Sequence, residues 1–474
     1  MGRKWWTLLT VCVATFMLLL DITIVNVALP AIEKALNASF SDLQWVVDAY
    51  ALALATCVLT AGALADLFGR RRVFVIGIVL FTIASAACGV ASDPLFLIIA
   101  RGLQGLGGAA MFATALALIS QEFHGKERGT AFGIWGATIG LAVAIGPLVG
   151  GMLTSWLSWR WIFLVNIPIG VGAVALAMTK LRESSDPEHS RLDPIGLVTL
   201  TGGLFCLILG LIEGNSHGWS STLIVGLFIA AAILLTAFVI AQAVQETSMI
   251  DLSLFGRPAF VGAQITAFAI SSTLFAMFLY LTLYLQDVLR LSPLQTGVRF
   301  LPLSLVSFVA APLAGRLSAR VPIRLLLGFG LGLCAVSLWL MSGISVHSSW
   351  TTLLPGFIVG GIGIGFVNAP LATTAVSTVR VERAGMASGL NNTFRQLGIA
   401  TGIAALGAIF QSKVGGNTFG AGHLGADARV AFISGLNSIL QVGAVVAAVG
   451  AVLALVLVRG KDFVASGPPP TADA

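Results

Sequence analysis

The chain has 474 residues, of which 57% are hydrophobic and only 10% charged, with a net charge of +6 and a mean hydropathy of +0.98. Soluble globular domains carry about 25% charged residues, so this composition excludes a soluble enzyme and defines an integral membrane protein whose domains are bundles of spans. The positive balance is not a nucleic-acid signal, and the five cysteines (Cys12, Cys57, Cys88, Cys206, Cys334) lie in apolar runs without a C-x-x-C pair, which supports neither a disulfide framework nor a metal site.

Arg3 and Lys4 precede an apolar stretch from Trp5 to Pro30. That is too long for a cleavable signal and matches a spanning helix of roughly 20 residues or more. Fourteen hydrophobic runs are expected as spans, at residues 5–29, 43–64, 73–92, 95–120, 130–156, 159–181, 193–213, 221–244, 258–285, 294–314, 322–345, 351–377, 384–411 and 431–458. An even number puts both ends on one side. The loops on that side hold most of the 26 Lys and Arg, among them Arg70, Arg71, Arg72, Lys126, Arg128, Lys180, Arg316, Arg324 and Arg459. The opposite loops hold Lys34, Arg160, Arg290, Arg299, Lys413 and Arg429. Positive loops stay inside, so both termini are expected in the cytoplasm of a cell whose high arginine, alanine and glycine usage hints at a GC-rich bacterial genome.

The expected organisation is an N-terminal six-helix bundle (1–182), a linker with an inserted pair, helices 7 and 8 (183–246), a C-terminal six-helix bundle (247–460) and a disordered cytoplasmic tail (461–474). A faint internal repeat supports it. The loop after helix 2, from Gly62 to Arg72, aligns with a degraded copy after helix 10, from Gly315 to Arg324. Parallel repeats of this kind are typical of two-bundle transporters. The short connections allow the inserted pair to be a spacer at the periphery.

Five stretches carry motifs. In the first helix, Leu20-Asp21-Ile22-Thr23 runs on to Asn26 and Leu29-Pro30. After helix 2, Gly62, Leu64, Asp66, Gly69, Arg70 and Arg71 fill the pattern G-x-L-x-D-x-x-G-R-R. Helix 4 carries Arg101-Gly102-x-Gln104-Gly105-x-Gly107, and helix 6 opens with Trp159-Arg160-Trp161-x-Phe163-x-x-Asn166-x-Pro168. In helix 5, Gly140, Gly146, Pro147, Gly150 and Gly151 interrupt an apolar run. Such a run stays helical in a bilayer, where neighbouring helices satisfy what proline frees. Its glycines let another backbone approach, and Pro147 permits a bend.

Together these motifs resemble the major facilitator superfamily, and within it the fourteen-helix drug/proton antiporters. The resemblance implies an all-α polytopic membrane protein with the major facilitator fold, two six-helix bundles plus an inserted helix pair. It implies that the cluster Gly62, Asp66, Gly69, Arg70 and Arg71 is a gating latch that closes the cytoplasmic side against helix 13, near Ala384. The helix-5 glycines and Pro147 are similar to an antiporter signature.

Ionisable residues inside spans are costly and are usually functional. Here they are Asp21, Asp48, Arg101 and Arg395, with Glu213 and Asp287 at span ends, where both are expected to be solvated. At about 1.5 Å per residue, Asp21, Asp48 and Arg101 all fall in the outer half of the first bundle. A carboxylate beside a guanidinium holds its charge, and one facing an apolar cavity takes up a proton. Asp21 is therefore the expected proton carrier, Arg101 its modulator and Asp48 a second acid; a structural Asp21–Arg101 pair is the alternative. Arg395, with Asn391, Asn392 and Gln396, either lines the cavity of the second bundle or anchors the latch. Candidate substrate-binding residues between the bundles are Asn26, Trp45, Gln104, Phe112, Phe275, Tyr280, Tyr284, Asn368 and Gln396.

The expected function is proton-coupled antiport, exporting hydrophobic small molecules, cationic ones included, in multidrug efflux by alternating access. A dedicated exporter of one endogenous metabolite, antibiotic or lipid is the alternative; a proton symporter and a non-transporting sensor fit less well. No enzyme is expected, since no nucleophile–base pair or metal cluster is present. No cofactor is expected either: the chain has no G-x4-G-K-[ST] nucleotide loop. The expected partners are a small-molecule substrate, protons and the lipid bilayer of the inner membrane, with no nucleic acid, and the protein is expected to be a monomer.

Overall fold

The computed structural model describes residues 2–184, 193–245, 250–379, 384–414, 426–460 and 463. These form helices and no strand. In chain order they are α1 (Arg3–Leu36), α2 (Phe40–Phe68), α3 (Arg70–Gly89), α4 (Pro94–Glu122), α5 (Gly125–Trp156), α6 (Trp161–Lys180), α7 (Pro194–His217) and α8 (Thr222–Val244). Then follow α9 (Pro258–Gln286), α10 (Pro293–Leu317), α11 (Ile323–Met341), α12 (Leu354–Ser377), α13 (Ala384–Val414) and α14 (Ala426–Leu457). Among the described residues, 13 helices are long and apolar enough to cross a membrane. The run expected at 130–156 forms α5, which is 32 residues long. The expected tail, residue 463 excepted, and residues 415–425 between α13 and α14 lie outside the described residues.

Local sequence explains where the helices begin. Ser39 and Asp42 form a reciprocal capping box at α2, and Ser292 and Gln295 form another at α10, where Pro293 takes the first turn. Asp93 before Pro94 and Asp193 before Pro194 cap α4 and α7 in the same way. Each side-chain oxygen accepts from a backbone N–H that the helix cannot satisfy itself, and proline loses nothing at that position. Within α9 and across its end the regular hydrogen bonding gives way to π turns, at Ser271–Phe275 and Tyr284–Val288. The first of these faces α13, where a Cβ on Gly402 would strike the backbone of Ser272.

Two apolar cores organise the molecule. One is built by α1 to α6, around Phe74, Phe81, Phe132 and Trp135. The other is built by α9 to α14, around Leu331, Phe357, Leu436 and Leu440. The cores meet along two antiparallel helix pairs. In the first, α5 lies on α10, with Gly129 against Gly315 and Gly133 against Pro312. In the second, α2 lies on α13, with Leu59 against Gly389.

The inserted pair departs from the expected spacer. Only α8 is peripheral: 17% of its most apolar stretch is buried, against 78% for α4. Helix α7 packs across the α2–α13 seam, where Leu200, Leu204 and Ile208 join Leu52 and Leu59 of α2 and Met386 and Leu390 of α13. Thr201 of α7 bonds Thr60 of α2 at 2.8 Å. Connection length does not report this placement, because short loops are compatible with either position.

Candidate transport site

Asp21 of α1 is buried in the first bundle, within a network that also draws on α2, α3, α4 and α6. Its Oδ2 accepts from Arg101 Nη1 of α4 at 2.5 Å. Its Oδ1 accepts from Gln104 Nε2, one turn further along α4, at 2.9 Å, and from Asn166 Nδ2 of α6 at 3.2 Å. Ser85 of α3 accepts from both amides and donates to the carbonyl of Phe163. Arg101 is held in turn by the Val46 carbonyl of α2, at 3.0 Å, and by the ring of Tyr50, 4.3 Å away. The carboxylate is thus balanced by a guanidinium and by neutral amides. An ion pair survives burial only when its remaining hydrogen-bonding groups are also satisfied, and here Asp21 and Arg101 both are.

The next feature lies at the end of α2. Asp66 Oδ1 accepts from Nε and Nη2 of Arg70, at 3.0 and 2.9 Å. Its Oδ2 accepts from the backbone N–H of Met386, in the first turn of α13, at 2.6 Å. A carboxylate at a helix N-terminus complements both the free N–H groups and the helix dipole. Gly69 turns the chain between α2 and α3 with φ +108°, which an L side chain rarely adopts. The backbone N–H of Arg71 donates to Glu183 Oε1, and its Nη2 donates to the Met178 carbonyl. Gly62 lies one turn before Asp66 on α2.

Helix α5 carries its glycines on two faces. A Cβ on Gly146 would strike the Thr23 side chain of α1, and one on Gly150 would lie 2.9 Å from the Ile24 carbonyl. On the other face, Gly140 meets Ser307 of α10 and Gly151 approaches Leu294. The side chains of Asn26, Phe275, Asp287 and Pro147 lie outside the described residues.

The remaining candidates separate. Gln104 belongs to the Asp21 network. Tyr280 and Tyr284 point into the second core, donating to the carbonyls of Ile403 and Ser348. Phe112 lies beside Trp135, with ring centroids 6.2 Å apart. Asn368 is buried and accepts from Arg395 Nη2 at 2.8 Å. Trp45, Asp48 and Gln396 are half-buried. Glu213 is not solvated as expected: it is buried and lies 2.9 Å from Nδ1 of His217, one turn on. The docking of α7 on the seam covers it. Sequence reasoning gave no role to Asn166 or Ser85, although a lone amide in an apolar span was the available signal for Asn166.

Helices alone, two bundles closed along paired helices, and a buried charge network define a polytopic membrane transporter. The sequence model of the Major Facilitator Superfamily matches residues 11–403. The chain belongs to that superfamily, and it is a transporter rather than an enzyme. It is 35% identical over 416 residues to the tetracenomycin C resistance and export protein of Streptomyces glaucescens, covering 87% of this chain and 77% of that one. It is 37% identical over 409 residues to the multidrug resistance protein Stp of Mycobacterium tuberculosis, covering 85% and 75%. It is 37% identical over 412 residues to the puromycin resistance protein pur8 of Streptomyces alboniger, covering 86% and 82%. Among solved structures it resembles the proton:xylose symporter XylE, with TM-score 0.70 and 12% identity over 96% of each chain. It also resembles the human organic anion transporter MFSD10, with TM-score 0.65 and 14% identity over 96% of this chain and 100% of that one. At such identities these two likenesses speak for the fold alone.

Proposed function

We propose that this protein is a proton-coupled exporter of hydrophobic small molecules, working by alternating access in the cytoplasmic membrane as a monomer with fourteen spans and both termini in the cytoplasm. The basic loops support the orientation. The names of the relatives, drawn from drug and antibiotic resistance, support export. The observation that carries proton coupling is the buried Asp21 carboxylate, held by Arg101, Gln104 and Asn166. When the Arg101 bond breaks, Asp21 takes a proton from outside; re-forming the Arg101 pair expels it inward. Each proton entering brings roughly 2.3 kcal/mol per 100 mV. Asp66 and Met386 hold the cytoplasmic side shut in the outward half of the cycle.

The test uses energised inside-out vesicles carrying the wild type or Asp21→Asn. Uptake of lipophilic dyes of either charge is followed with and without a protonophore. Protonophore-sensitive uptake by the wild type that is lost in Asp21→Asn is expected. Unchanged coupled uptake in Asp21→Asn would remove Asp21 from coupling and leave it as a structural partner of Arg101. Export of one compound is the second reading, favoured by the relative named for tetracenomycin C, and substrate profiling separates the two.

A further inference from the structure

Buried arginines are handled in two ways. In the first bundle, Arg101 is neutralised by Asp21, while Arg128 at the start of α5 leaves Nε and Nη2 without a partner. In the second, Arg395 is 5% exposed and makes one bond, from Nη2 to Asn368 Oδ1, while its Nε has no partner. No carboxylate among the described residues pairs with it.

The neighbouring amides repeat the pattern. Asn368 gives its oxygen to Arg395 and leaves Nδ2 without a partner. Gln264 of α9 accepts from Asn391 through Oε1 and leaves Nε2 without a partner. Asn391 precedes Arg395 by one turn of α13, on the same helix face. Three buried N–H groups, one of them cationic, are therefore left without acceptors: on Arg395, on its partner Asn368, and on Gln264, which is bonded by the residue one turn before Arg395. Against them stand the unpaired Oδ1 of Asn392 and the hydroxyl of Ser388. Buried polar groups are nearly always hydrogen-bonded, and unpaired ones call for an explanation.

The set lies where the bundles meet. Asn392 Nδ2 donates to the Phe112 carbonyl of α4 at 3.1 Å. The Cβ of Asn368 lies where a side chain on Gly136 of α5 would touch it. Parting of the bundles opens this position and leaves the Asp21 network inside its own bundle.

We infer that Arg395, Asn368 and Gln264 form a substrate subsite for an organic anion or another oxygen-rich acceptor, such as a carboxylate or phenolate on an aromatic framework. A guanidinium supplies charge-assisted, directional bonds to such oxygens, and the amides supply the rest. A cationic substrate would meet the wrong charge here. With the inside negative, the outward step of an organic anion and the inward step of a proton both move charge downhill. The assignment rests on the export reading and replaces the cationic substrate class expected from sequence.

The test uses two dyes on one xanthene framework, fluorescein as the anion and rhodamine 123 as the cation, in energised inside-out vesicles. Wild-type protein is expected to accumulate fluorescein, Arg395→Gln to lose at least about tenfold of that uptake, and Arg395→Lys to keep a substantial part. Gln264→Met retains the guanidinium and is expected to raise the fluorescein KM several-fold with little change in maximal rate, an effect that misfolding would not mimic. Thermal unfolding of each purified variant checks the fold. Rhodamine 123 uptake without fluorescein uptake overturns the assignment and leaves export standing. Fluorescein uptake that needs Arg395 but ignores the protonophore upholds the subsite and removes proton coupling. Wild-type fluorescein uptake by a folded Arg395→Gln overturns the subsite. Competition by millimolar inorganic phosphate would overturn the organic-substrate assignment in favour of a small-anion site.

Discussion

Asp66 Oδ2 and the backbone N–H of Met386 are 2.6 Å apart, which ties the end of α2 to the first turn of α13 across the two bundles. A hydrogen bond to a charged group contributes about 1.5–3 kcal/mol, and this one exists only while that end of the molecule is closed. Asp66→Asn weakens it and leaves Arg70 short of its counter-charge. The expected outcome is a population shift toward opening at that end. Spin labels at Arg72 and Arg320, on a background lacking the five cysteines, should report a longer distance component in the variant. A distance distribution identical to the parent would show that the bond does not hold the bundles together.

Gly146 gives a steric test. A methyl group there would collide with the Thr23 side chain, and overpacking a tight contact typically costs about 1–3 kcal/mol. Gly146→Ala should lower the thermal unfolding temperature and slow transport. Thr23→Ala in the same chain should restore part of both, because it removes the hydroxyl that a Cβ at Gly146 would strike first. Equal unfolding temperatures for Gly146→Ala and the parent would mean that α1 and α5 part without cost.

Much of this was legible in the sequence, for identifiable reasons. Spans announce themselves because lipid demands long apolar helices, and the latch loop because its glycine and aspartate spacing is fixed by a tight turn and a helix end. Asp21 and Arg101 were visible because a charge in a span is rare. Their partner Ser85 was not, since serine is cheap enough in a helix to carry no warning, and Asn166 stood in the helix-6 motif without a role. The seat of α7 was hidden as well. A face that packs on protein and a face that meets lipid are equally apolar, so hydropathy cannot tell them apart. Glu213 was misplaced for the same reason: its burial depends on where α7 docks.

The Asp21–Arg101 pair separates structure from coupling through three variants. Removing one partner of a buried pair typically costs about 3–5 kcal/mol, because the other charge is left uncompensated. Arg101→Gln alone should therefore be the least stable, with Asp21 buried among neutral groups. Asp21→Asn/Arg101→Gln removes both charges and should recover much of the unfolding temperature. Transport coupled to the proton gradient should stay absent in the double variant. Recovery of coupled transport together with stability would make the pair structural.

Thr60 and Thr201 test whether α7 belongs to the working seam. Their hydroxyls lie 2.8 Å apart, between α2 and α7. Apolar contact with lipid costs a helix nothing, so α7 is held by close packing and by a few polar links of this kind. Side-chain hydrogen bonds between membrane helices couple by about 0.6 kcal/mol on average and by about 1.7 kcal/mol at most. Thr60→Val, Thr201→Val and the double variant form a cycle in which a coupling of that size is expected from unfolding in detergent. Because α7 also touches α13 through Asn215, which donates to the Ala404 carbonyl at 3.3 Å, loosening it at α2 should alter how the seam opens as well. Thr201→Val is accordingly expected to change the maximal transport rate more than the substrate KM. If the cycle shows coupling and the transport rate does not move, α7 is a fixed strut on the seam and takes no part in the rocking of the bundles.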